Sequence, residues 1–133
     1  MVRTGKSYPV ILKETYINWG EFRYTDSRAK RSLEGYLPIP AWFAKENDVL
    51  NGNGVTCDTI GMNLFYVVDE FENELGIVKT QGCSRAGEIY AKQFAISGDL
   101  TGLGKWFVDK NLNVGDEIIV KWITEDTIQL TKL

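Results

Sequence analysis

The end of the chain, from Glu117 to Leu133, carries the clearest structural signal. Ile118, Val120 and Trp122 alternate along one run, and Ile128 and Leu130 along a second, with Glu125-Asp126 between them. Side chains point to opposite faces at every step of a strand, so this period of two specifies a β-hairpin with one apolar face. The rest of the chain must supply the surface that covers that face.

Most of it also reads as short strands. Tyr8 to Trp19 is rich in β-branched and aromatic residues and predicts a strand ended by Gly20. Gly35 to Pro40 predicts an extended segment, because each proline biases the residue before it to extended geometry. Pro40 suits a first helical turn and predicts a short helix over Ala41 to Glu46, with Trp42 and Phe43 packed on the body. Asn51-Gly52-Asn53-Gly54 is a turn signal, followed by a strand around Val55 to Asp58. Asn63 to Glu70 and Leu75 to Thr80 predict a hairpin with an acidic tip. Glu88 to Ile96 predicts a strand with Ile89, Ala91 and Gln93 on one side and Tyr90, Lys92 and Phe94 on the other. Leu100, Leu103, Trp106 and Phe107 recur at helical spacing, although Gly102 and Gly104 delay the start of that helix. About seven strands with two short helices favour a barrel or sandwich. No repeat, low-complexity segment or linker divides the chain, so residues 1–133 read as a single domain.

Residue content narrows the chemistry. The chain has no histidine, which removes the commonest general base and metal ligand near neutral pH. Serine-histidine triads, histidine zinc sites and histidine-dependent nucleases are excluded. The Glu-x-Lys pair of the common metal-dependent restriction nuclease core is absent as well. Cys57 and Cys83 lack metal-ligand spacing and read as inert thiols. No carboxylate pair faces another in any recognisable pattern, which argues against a glycosidase-like enzyme. The acidic Asp69–Glu74 tip lacks the pattern of a calcium loop. The expectation is a protein that is no enzyme and needs no cofactor or metal. No apolar run spans a membrane and no signal-peptide pattern opens the chain, so a cytoplasmic protein without membrane contact is expected.

Two polar, basic stretches stand out from this β-rich background: Phe22 to Ser32, and Lys79 to Arg85. The formal net charge of the chain is −3, but its distribution matters more than its total. Glu21 to Arg31 and Lys79 to Gln93 each sum to +2, whereas Asp69, Glu70, Glu72 and Glu74 between them sum to −4. Cations mixed with amides, hydroxyls and small residues suit phosphates and base edges. Scattered solvated charge is the plain alternative.

Leu37-Pro38-Ile39-Pro40-Ala41-Trp42-Phe43-Ala44, followed by Asn113-Val114-Gly115-Asp116-Glu117-Ile118-Ile119-Val120-Lys121-Trp122, resembles the DNA-binding pseudobarrel family. That family includes plant B-three-type transcription-factor domains of the auxin-response-factor kind. It also includes the effector, or target-recognition, domains of bacterial restriction endonucleases, to which the layout here is closer. Swapped-hairpin and double-psi barrels share some of these words, but length favours the pseudobarrel, because swapped-hairpin subunits are usually much shorter. The resemblance implies a mainly β, seven-stranded open pseudobarrel with a short helix at each end. It also implies two arms that grip the DNA major groove like a wrench, here at about 21–34 and 79–92.

On that reading Arg23, Arg28, Arg31 and Arg85 suit bidentate contacts to guanine, and Gln81 to adenine. Asp26 either accepts from a cytosine amino group or serves the arm itself, as a turn cap or a salt bridge that rigidifies it. Tyr24, Thr25, Ser27, Thr80 and Ser84 suit phosphates or base edges, and Lys30, Lys79 and Lys92 suit phosphates, lysine being a point charge without a planar fork. Gly82 allows close approach of backbone to DNA. Trp19, Trp42, Trp106 and Trp122 are expected in the core or at its caps rather than as stacking platforms. The expected function is sequence-specific recognition of double-stranded DNA by the non-catalytic domain of a restriction endonuclease, with a nuclease domain or subunit as a possible partner. A protein or oligosaccharide binding module on a β-barrel is the alternative. Oligomeric state is not legible from the sequence.

Overall fold

Alternation of apolar residues builds one mixed, seven-stranded sheet. The computed structural model describes residues 3–17, 35–51, 59–82, 89–98 and 102–133. Its strands are β1 (Ser7–Ile11), β2 (Leu37–Pro38), β3 (Leu64–Asp69), β4 (Glu74–Gln81), β5 (Gln93–Ile96), β6 (Glu117–Trp122) and β7 (Thr127–Lys132). Three helical segments accompany them: the single turn α1 (Glu14–Ile17), α2 (Ala41–Glu46) and α3 (Gly102–Asp109). The strand order is β1-β6-β7-β3-β4-β5-β2. Neighbours are antiparallel except β3 and β7, which are parallel.

The sheet curls into a nearly closed barrel whose free edges are β1 and β2. One side chain bridges that seam: the hydroxyl of Tyr8, on β1, donates to the carbonyl of Pro38, on β2, at 2.9 Å. Inward residues from all seven strands form a continuous core that includes Val10, Leu37, Phe65, Val78, Phe94, Ile118, Val120, Ile128 and Leu130. Aromatic rings fill its centre. Tyr8 meets Phe43 edge-on at 4.7 Å, Phe43 meets Trp122 at 5.3 Å, and Trp122 meets Phe65 edge-on at 5.4 Å.

The final hairpin, the central hairpin and the helix over Ala41–Glu46 match the sequence reading. Three expectations are corrected. The first strand stops at Ile11, and Tyr16 N–H turns back to the carbonyl of Lys13 at 3.0 Å to make a helical turn. Trp42 is 55 % exposed, because successive helical residues lie about 100° apart and only Phe43 and Ala44 face the core. The strand expected over Glu88 to Ile96 is regular only from Gln93. Before that point the chain changes partners: Ala91 N–H reaches the carbonyl of Val49, and Lys92 N–H that of Gln81. Ala91 and Phe94 therefore both point inward. Trp19, Cys57, Cys83 and the expected strand around Val55 to Asp58 lie outside the described residues. Trp106 and Trp122 are core residues, as expected.

Among the described residues, no helix is long and apolar enough to cross a membrane. No group of three or more metal-ligating side chains gathers there either. The acidic tip is organised by Asp69, which is buried and accepts hydrogen bonds from Phe71 N–H, Asn73 N–H and the Asn73 amide at 2.8–3.0 Å. Burial acts to raise its pKa. Those hydrogen bonds and the nearby Lys110 ammonium outweigh it and hold the carboxyl below its ordinary value. Its oxygens are committed to the turn.

Candidate nucleic-acid interface

The flanks of the two segments expected to act as arms lie at opposite ends of the face made by β2, β5 and β4. The flanks of 18–34 are held together where Tyr36 N–H donates to the carbonyl of Tyr16 at 3.2 Å, with the two rings 5.2 Å apart. The flanks of 83–88 meet at the far end of β4, where Lys92 N–H donates to the carbonyl of Gln81 at 2.8 Å. β2 runs antiparallel to β5, and β5 to β4. Gly35 therefore lies towards the Ile96 end of β5, whereas Gly82 lies beside Ile39 and Lys92 at the other end. The four steps from 35 to 39 span ~13 Å along the strands, and β2 and β4 stand two strand spacings, ~10 Å, apart across β5, so the two roots are roughly 16 Å apart.

Between the roots runs the outer face of β2, β5 and β4. Pro38, Gln93 and Gln81 stand in register across it, and Lys79 lies beside Ala95. These side chains are half-buried, and Lys92 is exposed. The stretches that form this wall, 35–40, 77–82 and 89–98, contain no aspartate or glutamate and two cations, Lys79 and Lys92. The densest group of acids, Asp69, Glu70, Glu72 and Glu74, lies outside these stretches, whereas Glu34, Glu88 and Asp99 adjoin them in sequence.

The individual expectations divide into three groups. Arg23, Tyr24, Thr25, Asp26, Ser27, Arg28, Lys30, Arg31, Ser84 and Arg85 lie outside the described residues. Lys79, Gln81 and Lys92 fall on the wall just described. Thr80 does not. It points inward and is fully buried, with its hydroxyl donated to the carbonyl of Leu50 at 2.7 Å, so it serves the fold and leaves the set of possible DNA contacts. The sequence held the signal: Thr80 alternates with Lys79 and Gln81, and neighbours on a strand cannot share a face. Gly82 also has an internal role. A methyl group there would come within 3.1 Å of the Tyr90 carbonyl and 3.3 Å of the Asn51 amide.

Gln93 and Asn51 were absent from the sequence-based set. Gln93 is found only through its register opposite Gln81. Asn51 resembled a turn residue, yet it is fully buried, and its Oδ1 accepts Gly82 N–H at 2.8 Å. Arg3 was missed as well. It is buried at the end of the barrel, donates to the carbonyl of Asp48 at 2.9 Å and stacks 5.3 Å above the Phe65 ring. Burial lowers its pKa, opposed by the charges of Glu125 and Asp48. Glu125 in turn accepts from Arg3 N–H, Thr4 N–H and the Thr4 hydroxyl at 2.7–2.8 Å. Arg3 and Glu125 tie the start of the chain to the last hairpin.

A separate groove of about 470 Å³ opens on the outside of β3 and β4, lined mainly by Tyr66, Val68, Gly76, Ile77 and Thr127. It follows the bulge at which the β3–β4 register shifts between Val67 and Val68.

No protein-family model matches the chain, and no curated protein matches it. Its fold is similar to the solved structure of a hypothetical Arabidopsis thaliana protein, at a TM-score of 0.51 and 15 % identity, covering 100 % of this chain and 95 % of that one. That likeness is one of fold: a nearly closed, mixed β-barrel followed along the whole chain.

Proposed function

We propose that the chain is a sequence-specific, double-stranded DNA-binding domain of the pseudobarrel kind that enters the major groove with two arms, 21–34 and 79–92. On this reading it is the non-catalytic domain of a restriction endonuclease. The observation that carries the proposal is the wall between the arm roots. It is free of carboxylates in a protein of pI about 5.0, and it presents Lys79, Gln81, Lys92 and Gln93. A wall without carboxylates lets a net-negative domain approach a polyanion. Lys79 and Lys92 act on phosphates, Gln81 reads adenine, and the arm arginines read guanine.

Enrichment of bound duplexes from a random pool, followed by a salt titration of the winner, tests the proposal. A defined site should emerge, and log K should fall with log salt by ~0.9 for each phosphate neutralised. Arg28→Ala or Arg85→Ala should relax preference at one base position, whereas Lys92→Ala should weaken all sequences about equally. A pool that stays random at low salt would refute the proposal.

One observation favours the other reading, a protein or oligosaccharide binding module: the groove beside the 45 % exposed Tyr66 ring. On that reading the duplex titration is silent and Tyr66→Ala abolishes ligand binding.

A further inference from the structure

The root of the second arm is a buried polar junction. Asn51, Asn63 and Thr80 are each fully buried. Asn51 accepts Gly82 N–H on its Oδ1 at 2.8 Å, while its own N–H donates to the carbonyl of Ile89 at 2.8 Å. One residue therefore holds both flanks of 83–88. Thr80 N–H donates to the carbonyl of Asn63 at 2.9 Å, and the Asn63 Oδ1 accepts Thr59 N–H at 2.9 Å. The Thr80 hydroxyl closes on the carbonyl of Leu50. The bonds from these three residues also secure the flanks of 52–58, at Asn51 and Thr59.

Buried polar side chains are costly unless satisfied, and once satisfied they fix one geometry. An apolar contact would tolerate sliding at this root, whereas a hydrogen bond weakens steeply with misalignment. We infer that Asn51 is a positioning residue of the second arm, fixing its two described flanks at Gly82 and Ile89 and so the presentation of the adjoining Gln81 to base edges. This inference rests on the DNA-binding reading. Asn51 itself touches no DNA, since it is fully enclosed.

The test uses the full chain and the duplex enriched by the wild type. Asn51→Ala removes the acceptor, and Gly82→Ala disturbs the same root by sterics, so the two variants act by different routes. Val120→Ala serves as a control that loosens the core away from the root. Three quantities are read at a temperature where all variants are folded: the ratio of affinities for the enriched and a scrambled duplex, the salt slope, and amide exchange at Gly82. Both root variants should lower the affinity ratio by roughly tenfold, the order of one bidentate base contact, and leave the salt slope unchanged. Asn51→Ala should also speed exchange at Gly82. Val120→Ala should lower Tm without moving the ratio. If both root variants keep the wild-type ratio although Gly82 exchanges faster, the positioning role is refuted and the DNA reading stands. If the wild type itself prefers no duplex, both fall.

Discussion

Two residues show at the smallest scale how this barrel is held. The Tyr8 hydroxyl is the seam bond between the two sheet edges, and its burial pushes the phenol pKa well above the ordinary value. Tyr8→Phe should cost about 1–3 kcal/mol, because it leaves the Pro38 carbonyl without its donor. A phenol pKa raised by folding stabilises the native state below its unfolded value of ~10 and ceases to do so as pH rises beyond it. Denaturant midpoints from pH 8 to 11 should therefore fall for the wild type and stay flatter for the phenylalanine variant. Glu125 behaves in the opposite sense. Burial acts to raise its pKa, but hydrogen bonds from Thr4 and Arg3, with the Arg3 charge, hold it below the ordinary value. Its contribution is present above the unfolded pKa and lost as pH falls through the folded one. Glu125→Gln should lower stability near neutral pH and flatten the acid limb of a Tm profile. Neither Tyr8 nor Glu125 announced its role in the sequence: Tyr8 read as one β-former among several, and Glu125 as a turn acid. A hydrogen bond across 30 or 122 residues leaves no local pattern.

Elements were legible where local signals and packing agree. The β6–β7 hairpin alternates cleanly about a polar turn, and the β3–β4 hairpin joins two apolar-rich runs through an acidic tip, so local pattern located both. The first strand was overextended because Thr15 and Tyr16 favour strands by propensity, whereas the chain turns at Lys13 to join α1. Helix α3 carries the sharper lesson. Gly102 reads as a poor helix former, yet a methyl group there would lie 2.5 Å from Ile96 Cγ1 and 2.9 Å from its Cβ. The residue is small so that the helix can approach β5. Gly102→Ala should therefore destabilise the protein by about 1–3 kcal/mol through overpacking. Propensity alone would gain ~1 kcal/mol. Thermal denaturation decides the sign.

Across the whole molecule, the feature that bears on function is one stretch of the sheet's outer face without carboxylates. The two basic stretches were visible in the sequence as +2 segments on either side of an acidic tip. The sequence could not reveal that their roots flank a single acid-free wall, because that wall is assembled from β2, β5 and the 77–81 part of β4, which pair out of chain order. Gln93 and Asn51 were invisible for the same reason: one matters through its register and the other through a junction of distant segments. The central claim is that this wall, with its flanking arms, faces DNA. Backbone amide shifts on addition of the enriched duplex test it most directly. The account predicts that the described residues most perturbed are Lys79, Gln81, Lys92 and Gln93, with 69–74 and the outer face of β6 and β7 unmoved. Perturbations centred on β6 and β7 or on the acidic tip, or none at saturating duplex, would contradict it.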